Sequence, residues 1–146
     1  ATKVPDPRAV EPLLAQTPEA ARWADELALR ETEFALAQAG AEVLTVPAAF
    51  SPVTGAAHWE TLLRARAIET GCYVLAPAQC GQHPQTTGRE RRTHGHALAV
   101  APWGEVLADA GAEPGVIWVD LDRAAVAHAR GRVPSLDHDR PFGMPE

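Results

Sequence analysis

The sequence predicts an α/β fold, a mixed β-sheet with helices packed on one face or both. Helical and strand-like segments alternate in the order α-β-α-β, then β-β-β-α. The first strand-like segments are short, continuous apolar runs, as in a sheet buried on both faces. The chain has 146 residues and is 46% hydrophobic, enough for one domain with a real core.

Residues 1–16 are rich in Pro and lack a period, which reads as a loop or arm. "TPEAARWADELALRETEFALAQA", 17–39, reads as a helix with Thr17 as cap, Pro18 in the first turn and Gly40 after its end. Trp23, Leu27, Phe34 and Leu36 make its apolar stripe. "AEVLTVP", 41–47, is a short strand, and "AAFSPVTG" a loop. "AAHWETLLRARAIET", 56–70, is a second helix that buries Trp59, Leu62, Leu63, Ala67 and Ile68 and stops at Gly71. "CYVLAPAQC", 72–80, reads as one buried strand, and the polar, basic 81–95 as a loop. "HALAVAPWGEVLADA", 96–110, gives two strands around Pro102-Trp103-Gly104. "GVIWVDLD", 115–122, alternates like a strand, and Asp122 caps a helix over "RAAVAHARGR". The tail from Val133 is polar and contains Pro.

A net charge of −6 argues against a nucleic-acid partner, which needs a clustered basic surface. No apolar run approaches the ~20 residues of a membrane span. The N-terminal stretch lacks a long apolar run, so no signal peptide is expected. Cys72 and Cys80, on one strand, would stand ~26 Å apart and could not form a disulfide. Free thiols and a cytoplasmic location are the expectation.

His83, His94 and His96, with Arg89, Arg91 and Arg92, crowd one loop. Their spacing fits no metal motif; a solvated loop is the favoured reading, and a border to an anionic substrate the alternative. Glu60, Arg64, Arg66 and Glu69 read as a structural ion-pair network, with Glu60 and Arg64 at i, i+4. Cys80, before the basic loop, suits a nucleophile better than Cys72, which follows a helix C-terminus. Burial as an inert thiol is favoured for both.

Residues 39–81, ending in "RARAIETGCYVLAPAQCG", resemble the C-terminal half of the nitrilase superfamily, the carbon–nitrogen hydrolases. "GHALAVAPWGEVLADAGAEPGVIWVDLD", 95–122, follows that family's G-x-S-x-(I/V)-x-x-P-x-G segment, and "GRVPSLDHDRPF", 131–142, its tail. The resemblance covers residues 34–143 and lies nearest the branch that includes deaminated glutathione amidase. It implies part of an α-β-β-α sandwich, with 1–33 a divergent arm and helix start and 34–146 the C-terminal half of the hydrolase domain. It also implies cleavage of a small ω-amide with ammonia release, by a Glu-Lys-Cys triad without cofactor or metal. Association as a homo-oligomer or with a homologous subunit is implied too.

The chain departs from the family at the chemistry. The family's nucleophilic Cys position falls on Glu26 and a following Pro on Thr32, while Arg30 and Glu33 match its Arg and Glu. Lys3 is the only lysine and matches no family motif. The usual Ser is Ala97, and the usual Asp before Pro is Ala101. No residue of this chain is therefore assigned a catalytic role. A truncated or frameshifted reading frame, or a diverged non-catalytic paralogue or interaction module, accounts for the pattern.

Overall fold

The computed structural model describes residues 32–84, 88 and 90–138. The helix expected over 17–31, with Trp23 and Leu27, lies outside them, as do Lys3, Glu26, Arg30 and Arg89. Helix α1 occupies 32–38 and buries Ala37, while Leu36, expected in its apolar stripe, is exposed.

Strand β1 (Val43–Thr45) lies parallel to β2 (Tyr73–Ala76), with Leu44 opposite Val74. Strand β5 (Leu98–Val100) is antiparallel to β2, and β6 (Val106–Asp109) antiparallel to β5. The sheet order β1-β2-β5-β6 is mixed, as the element order predicts. Leu44, Val74, Ala76, Leu98 and Val100 form the sheet side of the core, each worth about 1–3 kcal/mol on burial.

The second helix starts earlier than expected. Ser51 caps it by accepting the Thr54 N–H at 3.2 Å, and Pro52 takes the first position, where no N–H is needed. A short α2 (Pro52–Thr54) passes through a π-helical segment, Gly55–Trp59, into α3 (Glu60–Thr70). Trp59, Leu63, Ala67 and Thr70 face the sheet in a narrow seam. Leu62 and Ile68, expected on that face, are 40% and 51% exposed, because the seam is one side chain wide. Gly71 ends α3 at φ +59°, a left-handed conformation in which a Cβ would meet Arg130 Cγ at 2.7 Å.

The run 72–80 is two strands, not one. Pro77 has no N–H to give a ladder, so β2 stops at Ala76; an isolated bridge joins Ala78 to Ala48. The chain then enters β3 (Cys80–His83), which pairs antiparallel with β4 (Arg91–His94) in a separate hairpin. The single-strand argument about the cysteines thus loses its premise; both thiols are free. The loop expected over 81–95 is this hairpin. Its alternation is hidden because both faces are largely polar, and Thr93 is the only buried residue of the two strands β3 and β4.

The strand expected over 115–122 has no ladder partner among the described residues, although its alternation is real. Ile117 and Val119 are half-buried, whereas Val116 and Trp118 are 77% and 90% exposed. Asp122 caps α4 (Arg123–Arg132) by accepting the Ala124 N–H at 2.9 Å. A 3-10 turn, Ser135–Asp137, follows. No helix among the described residues is long and apolar enough to cross a membrane.

Candidate functional site

The parallel strands β1 and β2 end on one edge of the sheet, where the chain leaves through Ala48 and Ala78. At such an edge, strand ends and the loops beyond them commonly frame a ligand crevice. A cleft of about 410 Å³ opens there, lined among others by Gln79, Cys80, His83, Ala97, Gly111 and Glu113. Cys80 and His83 come from β3, Ala97 from the start of β5, and Glu113 from the turn after β6.

The cleft wall carries few polar groups. His83 Nε2 lies 2.7 Å from Thr93 Oγ1, so the ring is held by a buried hydroxyl. No hydrogen bond reaches Cys80 Sγ among the described residues, so no base activates that thiol there. Ala97, expected from the resemblance to stand where the family has Ser, lines the cleft. Ala101 instead belongs to the turn after β5, where its N–H donates to Glu105 O at 2.8 Å.

Behind the cleft stands a second cluster. His94 and His96 stack with centroids 4.5 Å apart. His96 Nδ1 lies 2.9 Å from Asp109 Oδ2, and Gly111 N–H donates to Asp109 Oδ1 at 2.8 Å. Trp59 Nε1 donates to His96 O at 2.7 Å. His96 adopts φ +57°, a conformation uncommon outside Gly. Burial, followed by the neighbouring His96, pushes the His94 imidazole below its usual value, against an opposing pull from Asp109. Burial pushes the Asp109 carboxyl up, but the His96 and Gly111 donors outweigh it and hold it down. Among the described residues no three His, Cys, Asp or Glu side chains converge as a metal site requires.

The other sequence candidates are scaffold. Cys72 is fully buried and takes a hydrogen bond from Arg130 Nη2 at 3.1 Å. Glu60 pairs with Arg64 at 3.2 Å, and Arg66 with Glu33 at 2.8 Å and Glu69 at 3.1 Å. Arg91 and Arg92 are exposed on β4 and do not line the cleft. Sequence reasoning missed Asp109, Thr93 and Gly55. Gly55 carried a signal of its own, a helix-breaking residue inside the run that became a helix.

Residues 23–131 match the carbon–nitrogen hydrolase family. The chain belongs to that family. It is 50% identical over 111 residues to deaminated glutathione amidase of Homo sapiens, covering 76% of this chain and 33% of that protein. It is equally 50% identical over 103 residues to deaminated glutathione amidase of Synechocystis, covering 70% and 36%. The C. elegans NitFhit protein superposes with a TM-score of 0.63 at 41% identity, covering 74% of this chain and 25% of that one. The chain therefore spans about a third of the length of the curated relatives it matches. These matches agree with the mixed α/β architecture and with the family resemblance; the family match begins at residue 23, inside the segment 1–33 expected to be divergent. In this member of the family, the cleft beside Cys80 is the candidate site.

Proposed function

We propose that residues 34–146 form the C-terminal part of a carbon–nitrogen hydrolase domain that acts on a small ω-amide such as deaminated glutathione, releasing ammonia. The observation that carries this reading is the cleft at the C-terminal edge of the parallel β1–β2 pair. In it, Cys80, His83 and Ala97 wall a space sized for a small molecule. The family's nucleophile position, Glu26, lies shortly before α1 in sequence.

In intact relatives, by the family's chemistry, a Cys thiolate attacks the amide carbonyl and a Lys stabilises the oxyanion. The C–N bond breaks as a Glu passes a proton to the departing ammonia, and water then hydrolyses the thioester. Here Glu26 replaces the nucleophile, and Lys3 does not replace the lysine. We infer that the 146-residue chain alone is catalytically impaired, because triad members act as a unit. The test is ammonia release from deaminated glutathione. The expected result is no turnover above background. Turnover that survives Cys72→Ala and Cys80→Ala but is lost with Glu26→Ala overturns the assignment of the site.

A second reading, a non-catalytic interaction module, is favoured by one observation. Val116 and Trp118 stand in solvent on a segment patterned to be buried on one side. This reading expects self-association or docking onto a homologous subunit. A monodisperse monomer on size-exclusion chromatography that binds no hydrophobic dye counts against it.

A further inference from the structure

The β3–β4 hairpin shares no ladder with the main sheet; its root is held by Gln79 N–H, which donates to Ala48 O at 2.9 Å, and by the corner around His94, where the ladders of the hairpin and of β5–β6 both run on. His94 N–H donates to Phe50 O at 2.9 Å, Gly95 N–H to Gln79 O at 3.0 Å and His96 N–H to Gly111 O at 2.7 Å. The His94 ring rests on the π-helical segment at Gly55, where an added Cβ would stand 2.2 Å from His94 Cγ. π-helical insertions recur at functional sites, and this one makes the bare backbone surface that seats the ring.

We propose that the stacked His94–His96 pair, seated on Gly55 and tied to Asp109, is a proton-operated clasp that holds the hairpin against the main sheet and fixes the cleft wall.

The groups around His94 set the sign. His96 stacks on it and Asp109 lies behind His96; Cys80 is its partner across the β3–β4 ladder. The π-helical segment offers uncharged Gly55, while its His58 is exposed, as are Arg91 and Arg92 of β4. A proton on His94 therefore enters a desolvated site beside a second imidazole, and only Asp109 favours it. The clasp is closed when His94 is neutral and opens as the pH falls. Gln79, Cys80 and Gly111 are joined to it and line the cleft, so opening reshapes that wall.

Hydrogen exchange of the 146-residue chain, corrected for intrinsic rates, tests this between about pH 8 and about pH 5, where histidine titrates. Protection at the His94, Gly95 and His96 amides is expected to fall by about tenfold per pH unit toward the His94 titration point. Val74 and Val100 are expected to stay better protected than these amides throughout, and the fall should level off at the pH where the His94 ring resonance titrates. His94→Gln should abolish the fall, and Asp109→Asn should move the midpoint to lower pH. The proposal is overturned if the clasp amides are as well protected as Val74 and Val100 at the acid end, the mark of global rather than local opening. It is equally overturned if the fall continues undiminished below the pH at which the ring titrates, or if His94→Gln leaves the fall intact.

Discussion

Arg130 ties Cys72 into the scaffold. Its guanidinium donates to Thr70 O at 3.2 Å, Ala41 O at 2.6 Å and Cys72 Sγ at 3.1 Å, closing the end of α3 and the entry to β1 and β2 with one side chain. Arg130→Ala leaves Ala41 O and Thr70 O with only the weak Cys72 thiol as donor. Urea unfolding should show a loss of about 2–3 kcal/mol. Arg130→Lys should recover only part of it, because an ammonium lacks the planar fork that reaches several acceptors at once. Gly55→Ala weighs two opposed effects. Alanine favours the helix by about 1 kcal/mol, but its methyl must displace the His94 ring. The displacement wins, and the variant should be destabilised by about 1–3 kcal/mol, with the largest chemical-shift changes at His94 and His96. Acid should act on the same residues. With its pKa lowered in the fold, neutral His94 contributes stability that is whole above its unfolded value near 6.5 and is lost as the pH falls toward the folded value. Asp109 behaves alike below its ordinary 3.8. Urea midpoints should therefore drop in two steps on acidification, and His94→Gln should remove the upper one.

At the level of elements, the segments that the sequence placed well are those whose signal is local. Gly71 after α3, Asp122 before α4 and the Pro102–Gly104 turn each carry their own stereochemical reason. The misplaced ones depend on distant partners. The β3–β4 hairpin looked like a loop because Gln82, Arg91 and Arg92 are all exposed, leaving Thr93 alone to mark an inner face. Segment 115–121 has the alternation of a strand but no neighbour among the described residues. Trp118→Ser should consequently leave the unfolding midpoint within about 0.5 kcal/mol of the parent, as for any side chain standing in water. The same change should lower hydrophobic-dye binding, which a buried tryptophan would not do.

For the whole molecule, the two ends of the sheet have separate duties. The edge where β1 and β2 begin is locked by Arg130, and the edge where they finish carries the cleft and the histidine pair. The core was legible because Leu44, Val74, Val100 and the seam of α3 follow from pattern alone, and the family because residues 39–81 and 95–122 resemble its segments. The cleft was only half legible. Cys80 and His83 were visible as chemistry-bearing residues, and Ala97 as a departure. Their meeting with Glu113 depends on the break at Pro77 and on glycines that no periodicity reports. The histidine cluster needed Asp109, which arrives from a strand 13 residues beyond His96.

The bare indole of Trp118 also serves as an optical probe. The chain has four tryptophans. Trp59 is buried and Trp103 lies under the Arg132 guanidinium at 3.9 Å, so Trp118 emits from the wettest setting of the described three. Whatever lays a strand or an apolar surface over residues 115–121 would shift that emission to the blue and shield it from aqueous quenchers. Any such covering can thus be followed without a label.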